Sequence, residues 1–272
     1  MAFSLATPAF SPKSPDRARA AAVELRGVSK RFYYYEHRTS SLREWFIRRV
    51  LQRPLNIRRA EFTLRNLNLR VARGESVALI GSNGSGKSTA LRLIAGIYQA
   101  SSGTIKTQGR LTAVIELGAG FHPELTGADN VSLYAAVLGI GRRELSTRYE
   151  EIVDFAQTRE FMDTPLKYYS SGMEARLAFA VAVCLQPDVL LLDEVLAVGD
   201  QLFRERCLSR LREYHASGGT LILVSHEIDQ VRELCSRAVW LEHGVIRMDG
   251  EVGAVLTAYS ANDPSQNHRG AR

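Results

Sequence analysis

Gly81-Ser82-Asn83-Gly84-Ser85-Gly86-Lys87-Ser88-Thr89 is the stretch that decides the fold. It fits G-x-x-x-x-G-K-[S/T]. Ser76–Ile80 before it reads as a buried strand and 87–95 after it as a helix, which is the context that gives this spacing its meaning. Glycines let the backbone curl so that successive N–H groups point inward. Together with the N-terminus of the following helix they form a cradle for an anion. In such a cradle Lys87 reaches the β- and γ-phosphates of a nucleotide, and the Ser88 hydroxyl binds Mg²⁺.

Working outward, the next informative stretch is 189–192, an apolar run of strand length that ends in Asp193-Glu194. A carboxylate at the end of a buried strand can hold Mg²⁺ through water, and Glu194 can orient and deprotonate an attacking water. Two acids at a strand end are common, so this reading depends on the phosphate loop. Further strands are predicted at 23–28, 103–107, 111–115 and 221–224, with a terminal hairpin over 238–248 turning at His243-Gly244. Phe62, Leu64, Leu69 and Val71 suggest strands as well. Helix is predicted for 200–215 and for most of 121–186. Strands alternating with helices predict a parallel α/β core, interrupted by 121–186 as a helical subdomain.

Composition narrows the class. In 272 residues, 45% are apolar and 24% charged, which suits a chain that buries a sizeable core. No apolar run approaches the ~20 residues that span a bilayer, and no signal peptide is expected at the N-terminus. The three cysteines, Cys184, Cys207 and Cys235, lack metal-ligand spacing and point to a reducing compartment. Residues 38–59 hold seven arginines against one acid, Glu44, which equals the whole formal charge of +6. The basic character is therefore one local patch that suits phosphate-bearing partners, or else a solvated arginine-rich surface. Residues 41–52 within it have a helical pattern. Residues 1–22 and 260–272 are expected to be disordered. The 36–60 segment is expected to be a basic helical insert.

Tyr169-Ser170-Ser171-Gly172-Met173 precedes a predicted helix at 174–186. In isolation it is a helix cap, with Ser170 or Ser171 as the N-cap. At this point the chain resembles the ATP-binding cassette family, which carries a Leu-Ser-Gly-Gly-Gln-like signature just before its Asp-Glu strand. Ser170 and Gly172 match; Tyr169, Ser171 and Met173 depart. The resemblance spans about 23–259 and implies an α/β P-loop ATPase core, an antiparallel β subdomain and an inserted α-helical subdomain. It implies ATP and Mg²⁺ as ligands, with Gly81 to Thr89 and the Ser170-Ser171-Gly172 end on the nucleotide and Ser88 and Asp193 on the metal. Asp200 matches the family's Asp loop and His226 its switch histidine, in contact with the γ-phosphate. Phe32 stands where the family stacks an aromatic on adenine, with Tyr33, Tyr34 and Tyr35 as substitutes. Glu116 stands where a glutamine loop is expected.

A narrower likeness lies in Glu116-Leu-Gly-Ala-Gly-Phe121, in the signature, in Asp193-Glu-Val-Leu-Ala-Val-Gly-Asp200 with Phe203, and in the long stretch from Phe32 to Gly81. These resemble the ATPase subunits of bacterial exporters for capsule, O-antigen and teichoic-acid polymers. Some members add a C-terminal carbohydrate-binding domain, and none is expected here. The resemblance implies a homodimer sandwiching two ATP molecules, each site pairing Lys87, Ser88, Asp193, Glu194 and His226 of one copy with Ser170 and Gly172 of the other. It also implies a membrane-spanning permease in two copies, a polysaccharide linked to a polyprenyl diphosphate, and a peripheral place on the cytoplasmic face of the bacterial inner membrane. No nucleic-acid partner is expected. The alternatives are another transporter type or a DNA-associated cassette ATPase; the latter needs long heptad arms or large DNA-clamping domains, and the sequence has no heptad run.

Overall fold

The computed structural model describes residues 20–35, 57–115, 118, 120–194 and 199–262. A six-stranded sheet carries the molecule, in the order β5-β6-β7-β3-β8-β9. Its strands are β3 (Ser76–Ile80), β5 (Leu111–Val114), β6 (Val189–Asp193), β7 (Thr220–Val224), β8 (Arg237–Glu242) and β9 (Val245–Glu251). All neighbours run parallel except the β8/β9 hairpin. β3 and β7 are buried at every residue, as strands covered on both faces must be.

Successive residues of each central strand feed opposite cores. Ala78, Ile80, Leu190, Leu192, Leu221 and Leu223 face one core, which is closed by helices. These are α4 (Ser171–Cys184), α5 (Gln201–Ala216), α6 (Ile228–Leu234) and α7 (Val252–Asn262). Val77, Leu79, Val189, Leu191, Ile222 and Val224 face the other core, closed by α1 (Lys87–Ile94) and by a second sheet. That second sheet is antiparallel, in the order β2-β1-β4, with β1 at Ala21–Tyr35, β2 at Ile57–Ala72 and β4 at Ser102–Thr107. Each buried leucine contributes roughly 1.5–3 kcal/mol, so the two cores fix the sheet and the loops at its ends.

A third core joins α2 (Gly127–Val137), α3 (Arg142–Ala156) and α4. α4 is apolar all round over its last two turns for a reason: Leu177, Ala180, Val181 and Cys184 face the helical subdomain, while Phe179, Ala182 and Val183 face the main sheet. The helix is a spine shared by both bodies.

Several boundaries differ from the sequence reading. Strand β1 does not end at Val28 but continues to Tyr35, paired with Ile57. Bulges between Leu25 and Val28, with Gly27 at φ +60°, break the alternation that the reading followed. Ala21 and Ala22 belong to β1, and Ile57 to Ala60 belong to β2 rather than to a helical insert. Residues 260–262 close α7, and 263–272 lie outside the described residues, as do 1–19 and 36–56 with most of the arginine patch. Among the described residues, no helix is long and apolar enough to cross a membrane.

Candidate active site

The site lies at the carboxyl ends of three adjacent strands, β6, β7 and β3, where loops leave a parallel sheet together. From β3 the chain enters Gly81 to Gly86 and then α1. Gly81, Gly84 and Gly86 have φ of +144°, +78° and +107°. A Cβ on Gly81 would stand 2.2 Å from the Leu241 carbonyl oxygen, and one on Gly86 would stand 2.6 Å from Leu64 Cδ2. Only glycine permits both the backbone angles and the close approach. No side chain caps α1, so its first N–H groups are left to the loop's own concavity.

Lys87 is 5% exposed and folds back along the loop, donating to Gly81 O at 2.8 Å and Ser82 O at 3.0 Å. Burial depresses its pKa, and the carboxylates of Glu194 and Asp193 oppose that only in part. The buried ammonium is thus short of negative charge. The Ser85 hydroxyl is buried with no hydrogen-bond partner. An uncapped helix start, an under-compensated lysine and an orphaned hydroxyl together fit a phosphate chain.

Ser88 Oγ donates to Asp193 Oδ1 at 3.2 Å, across the width of β7. Burial raises the Asp193 pKa, with the Ser88 bond acting against it and Glu194 adding to it. A divalent cation between hydroxyl and carboxylate would relieve that penalty. Among the described residues, no group of three His, Cys, Asp or Glu side chains is arranged to hold a metal. Mg²⁺ is commonly held by one or two protein oxygens together with substrate phosphates and water, and Ser88 Oγ and Asp193 Oδ1 fit that donor set.

Glu194 follows β6 in the left-handed region at φ +56°, its N–H donating to Val224 O at 2.9 Å. His226 follows the neighbouring strand β7. The two side chains meet with Nε2 2.8 Å from Oε1, each about half exposed. The sequence reading aimed His226 at a phosphate; here it is held on Glu194. A carboxylate with an imidazole on one oxygen keeps the other free for a water.

Phe32 is half-buried on β1, edge-to-face with Tyr98 at 5.4 Å and 4.8 Å from Lys30 Nζ. Lys30 pairs with Leu64, the residue that backs Gly86, so Phe32 lies two residues from the strand register that touches the loop. Tyr33 is exposed at 51%, and the side chains of Tyr34 and Tyr35 are outside the described residues. Glu116 also lies outside them.

The remaining candidates stand elsewhere. Ser170, not Ser171, is the N-cap of α4, accepting from Met173 N at 3.2 Å. Ser170 and Ser171 are exposed, and a Cβ on Gly172 would meet only Ser170 Oγ, at 3.9 Å. Among the described residues, no hydrogen bond links this end to the phosphate loop. Asp200 caps α5, accepting from Phe203 N, and pairs with Arg176 at 2.8 Å. The Phe203 N–H first, and Arg176 beside it, hold its carboxyl below the usual aspartate range.

Sequence reasoning missed the support behind the loop. Gly244, at the hairpin turn, donates its N–H to Ser85 O at 3.1 Å and accepts from Arg65 N at 2.8 Å. It ties the phosphate loop to the antiparallel sheet. The turn itself was legible; its target, far away in sequence, was not.

Solved structures share this architecture. A structure described as the ATP binding subunit of an ABC transporter matches with a TM-score of 0.70 and 22% identity, covering 88% of this chain and 93% of its own. A dimeric post-hydrolysis state of the ATP-binding cassette MJ0796, bound to ADP and Pi, matches with a TM-score of 0.67 and 22% identity, over 85% of this chain and 98% of that one. These likenesses define the class: an ATP-binding cassette fold built on a phosphate loop. The family is defined by sequence. Residues 64–197 match the ABC transporter model. The O-antigen export system ATP-binding protein RfbB of Klebsiella pneumoniae is 40% identical over 237 residues, 87% of this chain and 96% of that protein. The teichoic acids export ATP-binding protein TagH of Staphylococcus epidermidis is 36% identical over 242 residues, 89% of each chain. The chain belongs to the ABC transporter family, as an ATP-binding, ATP-hydrolysing subunit.

Proposed function

We propose that this subunit powers export of a polysaccharide carried on a polyprenyl diphosphate across a bacterial cytoplasmic membrane. The observation that carries the reading is the 40% identity running over 96% of an O-antigen export ATP-binding protein. In this reading the subunit works from the cytoplasmic face, docked on a separate permease in two copies.

Two copies close on two ATP molecules. Gly81 to Thr89 wrap the phosphates and Lys87 turns from the loop carbonyls to the β- and γ-oxygens. Ser88 and Asp193 would hold Mg²⁺, which would supply neutralisation of phosphate charge. Glu194 takes the proton of the attacking water, and His226 fixes the carboxylate that does so. Phe32 stacks on the base. Ser170, Ser171 and Gly172 of the second copy offer a hydroxyl and the N–H groups at a helix start to the γ-phosphate. Asp200, at the start of α5, lies on the face that meets the second copy.

The test is Glu194→Gln in the producing cell, with purified protein assayed alongside. Losing a general base costs ~10²–10⁴-fold in rate, so hydrolysis collapses while nucleotide binding persists. Surface polysaccharide should vanish and lipid-linked polymer accumulate inside. Normal surface polymer with a hydrolysis-dead subunit at normal levels would sink the export reading. Normal hydrolysis would sink the role of Glu194.

A further inference from the structure

His226 has an unusual foundation. It is held on Glu194 at 2.8 Å, but the side facing the phosphate loop borders a cavity of about 40 Å³, bounded by Gly81, Ser225, Leu256 and Tyr259. Such a space is large enough to admit water. Packing from below therefore does little to fix the imidazole. Its position comes from the Glu194 contact and from the backbone of the loop between β7 and α6.

That loop is three residues long, Ser225-His226-Glu227, and a single side chain grips it on both sides of the histidine. Gln230, in the first turn of α6, is 5% exposed. Its Oε1 accepts from Ser225 Oγ at 3.1 Å, and its Nε2 donates to Glu227 Oε2 at 2.5 Å. Ser225 Oγ in turn accepts from the Glu227 N–H at 3.0 Å. The ring of three bonds closes around His226 without including its side chain. A buried amide costs free energy unless both its ends are satisfied. A leucine or methionine would fill the same space without that requirement. An amide here supplies what an apolar side chain cannot, a donor and an acceptor aimed at the two neighbours of one residue.

We propose that Gln230 is a positioning residue for His226. Its amide locks Ser225 and Glu227, so that the imidazole stays over the cavity edge and on the Glu194 carboxylate while the nucleotide binds and reacts. The inference rests on the proposed roles of Glu194 and His226. It adds a buried residue whose effect passes through the histidine.

The experiment measures steady-state hydrolysis by the purified full chain with Mg-ATP. Gln230→Leu leaves Ser225 and Glu227 without their partner, and kcat should fall roughly ten-fold with KM for ATP unchanged within about two-fold. The swap Glu227→Gln with Gln230→Glu restores one donor–acceptor pair at that contact and keeps an acceptor for Ser225, so it should recover most of the loss. In a His226→Ala background, Gln230→Leu should change kcat by less than about two-fold, because the group being positioned is gone. An equal loss in both backgrounds, or a loss in KM rather than kcat, would overturn the positioning role and leave the reading of His226 standing. If His226→Ala alone left kcat untouched, the reading of His226 would fall first and take this inference with it. Should Gln230→Leu fold poorly, Ser225→Ala opens the other side of the clamp and is judged by the same comparison.

Discussion

The phosphate loop and the start of α4 are both helix beginnings that the proposed site turns toward nucleotide, and they are built in opposite ways. At the loop, Gly86 leads into α1 with no side-chain cap, and its neighbours are sunk in the molecule. The chain supports it from behind: Leu241 presses on Gly81, Gly244 bonds Ser85, and Leu64 closes on Gly86. At α4 the helix start is exposed and is satisfied by its own Ser170 hydroxyl. The helix is anchored beyond that start, by Arg176 on Asp200 and by the buried run from Leu177 to Cys184. One phosphate-binding end is finished within the chain. The other is stable as it stands but faces outward, with no described residue bonding it to a nucleotide site of its own chain. The difference fits the proposed dimer, in which the outward end completes the site of the second copy.

The largest effect expected from breaking this contrast comes from disabling each end separately. Lys87→Ala should weaken nucleotide binding in the isolated chain by ~10–10²-fold, the worth of a charge-assisted bond. Ser170→Arg should leave binding to the isolated chain intact and abolish turnover by the dimer. Mixing the two variants puts both defects in one composite site and leaves the other with wild-type groups on both faces. ATPase in the mixture should exceed that of either variant alone. If cross-linking demonstrated mixed dimers and activity stayed at the single-variant level, the two ends would not be acting across copies, or both sites would have to be intact.

A smaller effect separates the ends by stability. Gly81→Ala places a Cβ 2.2 Å from a backbone oxygen at φ +144°, where strain alone costs about 1–3 kcal/mol. Gly172→Ala meets nothing nearer than Ser170 Oγ at 3.9 Å, and alanine gains up to ~1 kcal/mol over glycine in a helix. Thermal melts should therefore show Gly81→Ala clearly destabilised and Gly172→Ala unchanged or slightly raised. Equal destabilisation would mean that α4 begins against a neighbour rather than in open space.

The same contrast governs what the sequence could tell. The phosphate loop is nine consecutive residues with one geometry, so its chemistry can be read along the chain. Asp193 and Glu194 were legible because a buried apolar run ends on them. The contact between Glu194 and His226 was not, since it depends on β6 and β7 being sheet neighbours. Nor was the clamp by Gly244, which joins segments more than 150 residues apart. Strand β1 was cut short because its bulges reset the alternation. α7 did leave a signal that was missed. Val252, Val255, Leu256 and Tyr259 have helical spacing behind Glu251, whose carboxylate accepts from Gly253 N and Ala254 N. α6 left almost none, being seven residues long.

The smallest effect compares two outward helix caps, Ser170 on α4 and Asp200 on α5. Ser170 caps with a neutral hydroxyl, so its contribution should not vary with pH between 3 and 8, roughly speaking. Asp200 caps with a carboxylate whose pKa is lowered, chiefly by the Phe203 N–H and then by Arg176. A lowered folded pKa means stability that is fully present above the ordinary aspartate value and lost as pH falls through the folded one. Asp200→Asn keeps a good N-cap and removes only the charge. Wild type should therefore melt slightly above Asp200→Asn at neutral pH, and the gap should close as the pH drops below the aspartate range. Added salt should narrow it too, since the Asp200 side of the pair faces solvent. The matching pair, wild type against Ser170→Asn, should differ by the same small amount at every pH. A gap at Asp200 that ignored pH would mean the carboxylate acts there by shape alone, and that the two caps differ in position but not in kind.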